Sequence, residues 1–185
     1  TGFVDYDNLV FDPSKTPADF GWSTDNNNYV NWSVTAAGEP YYVAYNGSNS
    51  RRIWKDIIED PNNFTVNMTV KVGELRAAIE LMGATVELNC QGGNTNQIFD
   101  RESWSWFNAE NQICFVTLAR ANGGDLSVKL LGKGNDTPVT FTKKITAPDN
   151  ENLIIGVIDD CGSAYFSDIS SGGLDAQDVS AFGWD

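Results

Sequence analysis

The stretch Phe64-Thr65-Val66-Asn67-Met68-Thr69-Val70-Lys71-Val72 decides the fold class. Apolar and polar residues alternate at every step, and an extended chain sends alternate side chains to opposite faces. The nine residues therefore read as a strand with one buried face. Val86, Leu88 and Cys90 alternate with Thr85, Glu87, Asn89 and Gln91 in the same way. Cys114, Val116 and Leu118 form a third set, followed by Asn122-Gly123-Gly124-Asp125 and then by Leu126, Val128 and Leu130. Turn residues that tolerate positive φ between two alternating runs predict a hairpin.

Working outward, further strands are expected over 139–145, 153–158 and 164–169, with a tight turn at Asp159-Asp160-Cys161-Gly162-Ser163 between the last two. Shorter ones are expected over 29–34 and 41–45, the second closed by Asn46-Gly47. Residues 74–82 have helical propensity, but the flanking Gly73 and Gly83 and the local alternation favour a strand. One turn of helix is expected over 174–179, capped by Asp175. Many short strands separated by turn signals predict an all-β fold, a two-sheet antiparallel β-sandwich, in one domain spanning residues 1–185.

Composition narrows the chemistry. Twenty-five acidic residues against 12 basic ones leave a net charge of −13, which repels phosphate. Nucleic acid and anionic membranes are therefore not expected partners, whereas neutral glycans and divalent cations are compatible. No apolar run approaches the about 20 residues that cross a bilayer. Thr1 opens a polar stretch with no signal-peptide pattern, so this start reads as a mature end or an artificial boundary. Histidine is absent, which removes Ser-His-Asp and Cys-His catalysis and His-ligated zinc together. Cys90, Cys114 and Cys161 form no CxxC pair, and their odd number leaves at least one free thiol in a monomer. One disulfide can still form, and spacing does not choose the pair.

The order of segments carries a resemblance. Leu9-Val10-Phe11-Asp12, Phe20-Gly21-Trp22, Asn31-Trp32-Ser33-Val34 and Asn63-Phe64-Thr65-Val66 lead the first half. Phe115-Val116-Thr117-Leu118-Ala119-Arg120-Ala121-Asn122-Gly123-Gly124, Leu126-Ser127-Val128, Ile155-Gly156-Val157 and Ala164-Tyr165-Phe166-Ser167-Asp168-Ile169 follow. This resembles the concanavalin A-like jelly-roll domains of the laminin-G-like type, used as carbohydrate-binding modules in bacterial glycoside hydrolases. The likeness covers nearly the whole chain through loose motifs. It implies a non-catalytic module that binds polysaccharide or oligosaccharide, monomeric, secreted by a bacterium, and covalently linked to a catalytic domain. It also implies a structural calcium tying the first strand to the last, through Asp12 and Asp168, with Asp5 or Asp7 as further ligands. Five Asn-x-Ser/Thr sequons, at Asn31, Asn46, Asn63, Asn67 and Asn135, read as a product of composition, consistent with a bacterial source.

Sugars present flat CH faces and rings of hydroxyls, so a site for them pairs exposed aromatic rings with amides, carboxylates or arginine. Trp104 and Trp106 alternate within Arg101-Glu102-Ser103-Trp104-Ser105-Trp106-Phe107. On a strand their indoles would share one face about 7 Å apart, although burial in the core explains that pattern equally well. Arg52, Trp54 and Asp56 share a face opposite Ile53, and Glu87, Asn89 and Gln91 form a polar row. The ligand-binding set expected is thus Trp54, Trp104, Trp106, Asn89, Gln91, Glu87 and Arg52, with Tyr41, Tyr42 and Tyr45 as rim contacts. An ordinary solvated strand face would explain the Arg52/Trp54/Asp56 group and the Glu87/Asn89/Gln91 row equally well. Trp22 and Trp32 read as structural, and Trp184 as closing the sandwich edge.

Two rival functions are set against this. Hydrolases of the same superfamily carry alternating acidic residues on one strand, but Glu80 and Glu87 fall on neighbouring strands without such partners. No catalysis is expected. A protein-binding, adhesion-type domain would instead present an exposed apolar patch.

Overall fold

The computed structural model describes residues 4–5, 17–24, 32–34, 42–45, 51–90, 96–157 and 163–174. In chain order the strands are β1 (Val4–Asp5), β2 (Ser23–Thr24), β3 (Trp32–Val34), β4 (Tyr42–Tyr45), β5 (Arg51–Asp56) and β6 (Phe64–Glu74). They continue with β7 (Arg76–Leu81), β8 (Ala84–Asn89), β9 (Gln97–Asp100), β10 (Ser105–Asn108) and β11 (Ile113–Arg120). The last four are β12 (Leu126–Gly132), β13 (Val139–Lys143), β14 (Asn152–Val157) and β15 (Ser163–Gly172).

They form two antiparallel sheets. The first runs β13-β12-β11-β6-β15-β4-β3, with β1 also on β15. The second runs β10-β9-β8-β7-β14-β5-β2. Each sheet turns its apolar positions inward. Val66, Met68, Val70 and Val72 of β6 meet a core that includes Ile79 and Leu81 of β7, Val86 and Leu88 of β8, and Ile155 of β14. Each such side chain contributes roughly 1.5–3 kcal/mol by leaving water. The period-two reading of 64–72 is therefore correct, and residues 74–82 form a strand and a turn.

The expected hairpin joins β11 to β12, and Asn122 and Gly123 take φ of 52° and 68° in its turn. Arg120, at the end of β11, is almost fully buried beneath it. Its guanidinium donates to Gly124 O (2.8 Å), Gly123 O (2.9 Å) and Pro61 O (2.9 Å). Backbone carbonyls thus solvate a charge that burial would otherwise penalise. The Met82-Gly83 turn between β7 and β8 also has positive φ at both residues, 51° and 83°. The Met82 carbonyl accepts from Thr146 and Ala147 N–H, which anchors the passage from β13 back over the second sheet.

Cys114 is a free thiol in the core, and burial pushes it far above its ordinary value; Cys90 Sγ donates to Gly73 O at 3.5 Å. Cys161, the 159–163 turn up to residue 162, Asn46-Gly47 and the helical turn expected from residue 175 onward lie outside the described residues. Trp22 is buried in the core, as a structural tryptophan should be. The side chains of Trp32, Tyr42 and Tyr45 are outside the description, as are Tyr41 and Trp184 altogether.

Candidate functional site

The outward face of the second sheet carries aromatic and charged groups in register. Arg76 of β7 is level with Asn89 of β8, Asn89 with Phe99 of β9, and Phe99 with Trp106 of β10. This row ends on an aromatic cluster. Trp106 is 41% exposed, and its ring centroid lies 5.3 Å from that of Phe99. Trp104 is 67% exposed and meets Phe99 edge-on at 5.1 Å. Core burial is thus not the reason for the two tryptophans; Phe107 takes the inward position instead.

Their geometry differs from a strand pair. The strand begins only at Ser105, and Trp104 belongs to the β9–β10 loop, with φ of 55°. Strand alternation therefore does not relate the two indoles; both converge on Phe99. Left-handed backbone at a residue with a bulky side chain costs of order 1–2 kcal/mol. Asp100 holds the loop in this shape. Its carboxylate is fully buried and accepts from Glu102 N–H (3.0 Å), Ser103 N–H (3.2 Å) and the Ser103 hydroxyl. Ionised oxygens satisfied by backbone donors are strong anchors.

Beside the cluster lies a cleft of about 240 Å³ lined by Thr85, Glu87, Arg101, Glu102 and Lys143. Arg101 Nε reaches Glu87 Oε2 at 3.0 Å, and Arg76 approaches the same oxygen at 3.5 Å. The Arg101 guanidinium also lies 5.2 Å from the Trp104 ring, within cation–π range. Across the cleft, Lys143 Nζ meets Glu102 Oε2 at 2.6 Å, joining the edge strand of the first sheet to this loop of the second.

The expected residues fall into separate places. Glu87, Trp104 and Trp106 come together at the cleft and its aromatic wall. Asn89 stands in the same row, and its Oδ1 is buried without a hydrogen-bond partner among the described residues. Arg52 and Trp54 do point to the outer face, opposite the buried Ile53, but on β5. Four inter-strand steps separate β5 from β9, about 19 Å. There Arg52 pairs with Glu80 at 3.3 Å, and Trp54 is only half-exposed. Gln91 lies outside the described residues. Phe99, Arg101, Glu102 and Lys143 were not anticipated. The signal for Phe99 was the Ile98/Phe99 alternation; nothing local pointed to Lys143, which arrives from the other sheet.

For the metal, β1 lies against β15 with Asp5 level with Ser170. Asp168 sits in an adjacent bulge of β15, exposed, with φ of 54°, and accepts from the Thr69 hydroxyl at 3.1 Å. Asp7 and Asp12 are outside the described residues, and among those described no three Asp, Glu or Cys side chains converge. No described helix is long and apolar enough to cross a membrane.

No family model and no curated protein sequence matches the chain. Solved structures do. The basic winged bean lectin, crystallised with Tn-antigen, aligns with a TM-score of 0.52 at 7% identity, over 94% of this chain and 99% of the lectin. A Shewanella oneidensis MR-1 protein of unknown function, SO2946, gives 0.52 at 10% identity, over 91% and 84%. GH43B of a Bacteroides ovatus xyloglucan PUL gives 0.53 at 10% identity, over 93% of this chain and 39% of that one. At such identities the likeness speaks for architecture alone, and that architecture is the concanavalin A-like jelly roll expected from the sequence.

Proposed function

We propose that this chain is a non-catalytic carbohydrate-binding module, secreted by a bacterium and acting beside a polysaccharide-degrading enzyme. One observation carries the reading: two exposed tryptophans grouped on Phe99 beside a cleft of paired carboxylates and cations. The indoles offer stacking surfaces for sugar CH faces, and the cleft offers hydrogen-bond donors and acceptors together. Trp104, Trp106 and Glu87 form its centre, with Asn89 on its flank; Gln91, two residues beyond Asn89 in the chain, belongs to the same proposal. Trp54 and Arg52 form a second contact for a ligand long enough to cross the sheet.

The other exposed large apolar residues described, Leu75 and Phe115, stand singly, on a turn and on the opposite sheet. An adhesion-type apolar patch gains no support from them. Glu80 and Glu87 each engage an arginine, as structural anions do. This supports a role without catalysis. The winged bean lectin and the GH43B protein place sugar-related proteins on the same architecture, which supports the glycan class.

The test is a polysaccharide binding screen with the wild type and with Trp104→Ala, Trp106→Ala and Trp54→Ala. Loss of binding by the first two at unchanged melting temperature is the expected result. Sugar release from any substrate would overturn the non-catalytic part of the reading. A structural calcium held by Asp168 and Asp12 belongs to the same proposal, supported by the pairing of β1 with β15 beside the bulge that presents Asp168. Chelation should then lower the melting temperature; no change after verified metal removal would refute it.

A further inference from the structure

We infer that the cleft beside Trp104 selects a neutral glycan and rejects uronates and sulfated chains, an inference that rests on the carbohydrate-binding reading. Every cation at the cleft already has a carboxylate. Lys143 Nζ holds Glu102 at 2.6 Å, Arg101 holds Glu87 at 3.0 Å, and Arg76 adds a second contact to Glu87 at 3.5 Å. An anionic sugar group would have to displace one of these carboxylates from its cation. At Lys143 it would leave Glu102 uncompensated beside the new charge, on a chain of net charge −13; at Arg101 it would crowd Glu87, which keeps Arg76.

A hydroxyl meets no such obstacle. It donates once and accepts twice, so it can give its hydrogen to Glu87 or Glu102 while accepting from Arg101 or Lys143. Both ion pairs then stay closed and each gains a hydrogen bond. Thr85 adds a hydroxyl of its own to the wall. The cleft's 240 Å³ is the scale of one sugar ring, with Trp104 at its side to take the ring's apolar face. Complementarity here comes from paired charges that only a neutral, hydroxyl-rich ligand can join without separating them.

The experiment measures affinity for soluble galactomannan and mixed-linkage β-glucan against polygalacturonate and alginate. It uses the wild type and Glu102→Gln, at about 0.05 M and about 0.5 M salt. The wild type should bind at least one neutral polymer, with less than about twofold change between the two salts, and polyuronates at least about tenfold more weakly. Glu102→Gln, which takes the carboxylate from Lys143, should narrow that gap at low salt by raising polyuronate affinity. Tighter binding of polyuronate than of any neutral polymer by the wild type, or a gap unchanged in Glu102→Gln, overturns the inference while leaving carbohydrate binding standing. No binding to either class removes the carbohydrate reading itself.

Discussion

The outward faces of the two sheets follow opposite rules. On the first sheet the central outward positions are small or hydroxylated: Thr65, Ala119 and Ser127 stand level across β6, β11 and β12, and all are buried. Their neighbours satisfy one another within the sheet, as Thr117 does by donating to Asn67 Oδ1 at 2.9 Å. On the second sheet the outward face ends in Trp104, Phe99 and Trp106, with paired charges beside them. Those central positions of the first sheet are explained by folding. The aromatic end of the second is not, because an indole left 67% exposed on left-handed backbone gives little burial in return for its strain. A surface that folding does not account for is where a ligand is best sought.

That contrast can be broken most forcefully at Asp100. Replacing it by Ala takes the acceptor from two backbone N–H groups and from the Ser103 hydroxyl, and should destabilise the fold by about 2–3 kcal/mol, read by chemical denaturation. The same variant should shift the tryptophan emission and weaken glycan binding, because the loop no longer presents Trp104. Unchanged binding would mean that the loop's shape is irrelevant to the ligand.

Trp104→Gly sharpens the comparison. Glycine relieves the left-handed strain, while the contacts to Phe99 and Arg101 are lost; each effect is about 1 kcal/mol. Stability should therefore stay within about 1 kcal/mol, while glycan affinity falls at least about tenfold. A marked drop in melting temperature would make the indole structural and erase the distinction between the faces. The smallest effect is expected on the first sheet. Thr117→Val loses one hydrogen bond to Asn67 and should cost about 1 kcal/mol, with glycan affinity unchanged.

The two faces also differ in how far they could be read from the chain. Alternation marked β6, β8, β11 and β12, because a period of two is local and a buried face enforces it. The Asn-Gly turn was legible for the same reason: its chemistry lies within four residues. At the candidate site the tryptophans were visible as residue types, yet their relation was not. A common strand would have set the two indoles side by side, but the buried Asp100 carboxylate captures the backbone after β9 and ends that strand before Trp104. Trp54 carried the same local signal as Trp106 but lies about 19 Å from the cluster, since strand order is set by pairing between distant segments.

By itself, then, the sequence determined that this chain is a β-sandwich with its apolar residues facing inward, and that histidine chemistry is closed to it. Tertiary structure decided which outward residues share a place. Phe99, Trp104 and Trp106 meet because β9 and β10 pair, and Lys143 reaches Glu102 because the edges of two sheets approach. Side-chain direction is a property of neighbouring residues, whereas proximity across a sandwich depends on the order in which strands pair, and no short stretch of sequence contains that order.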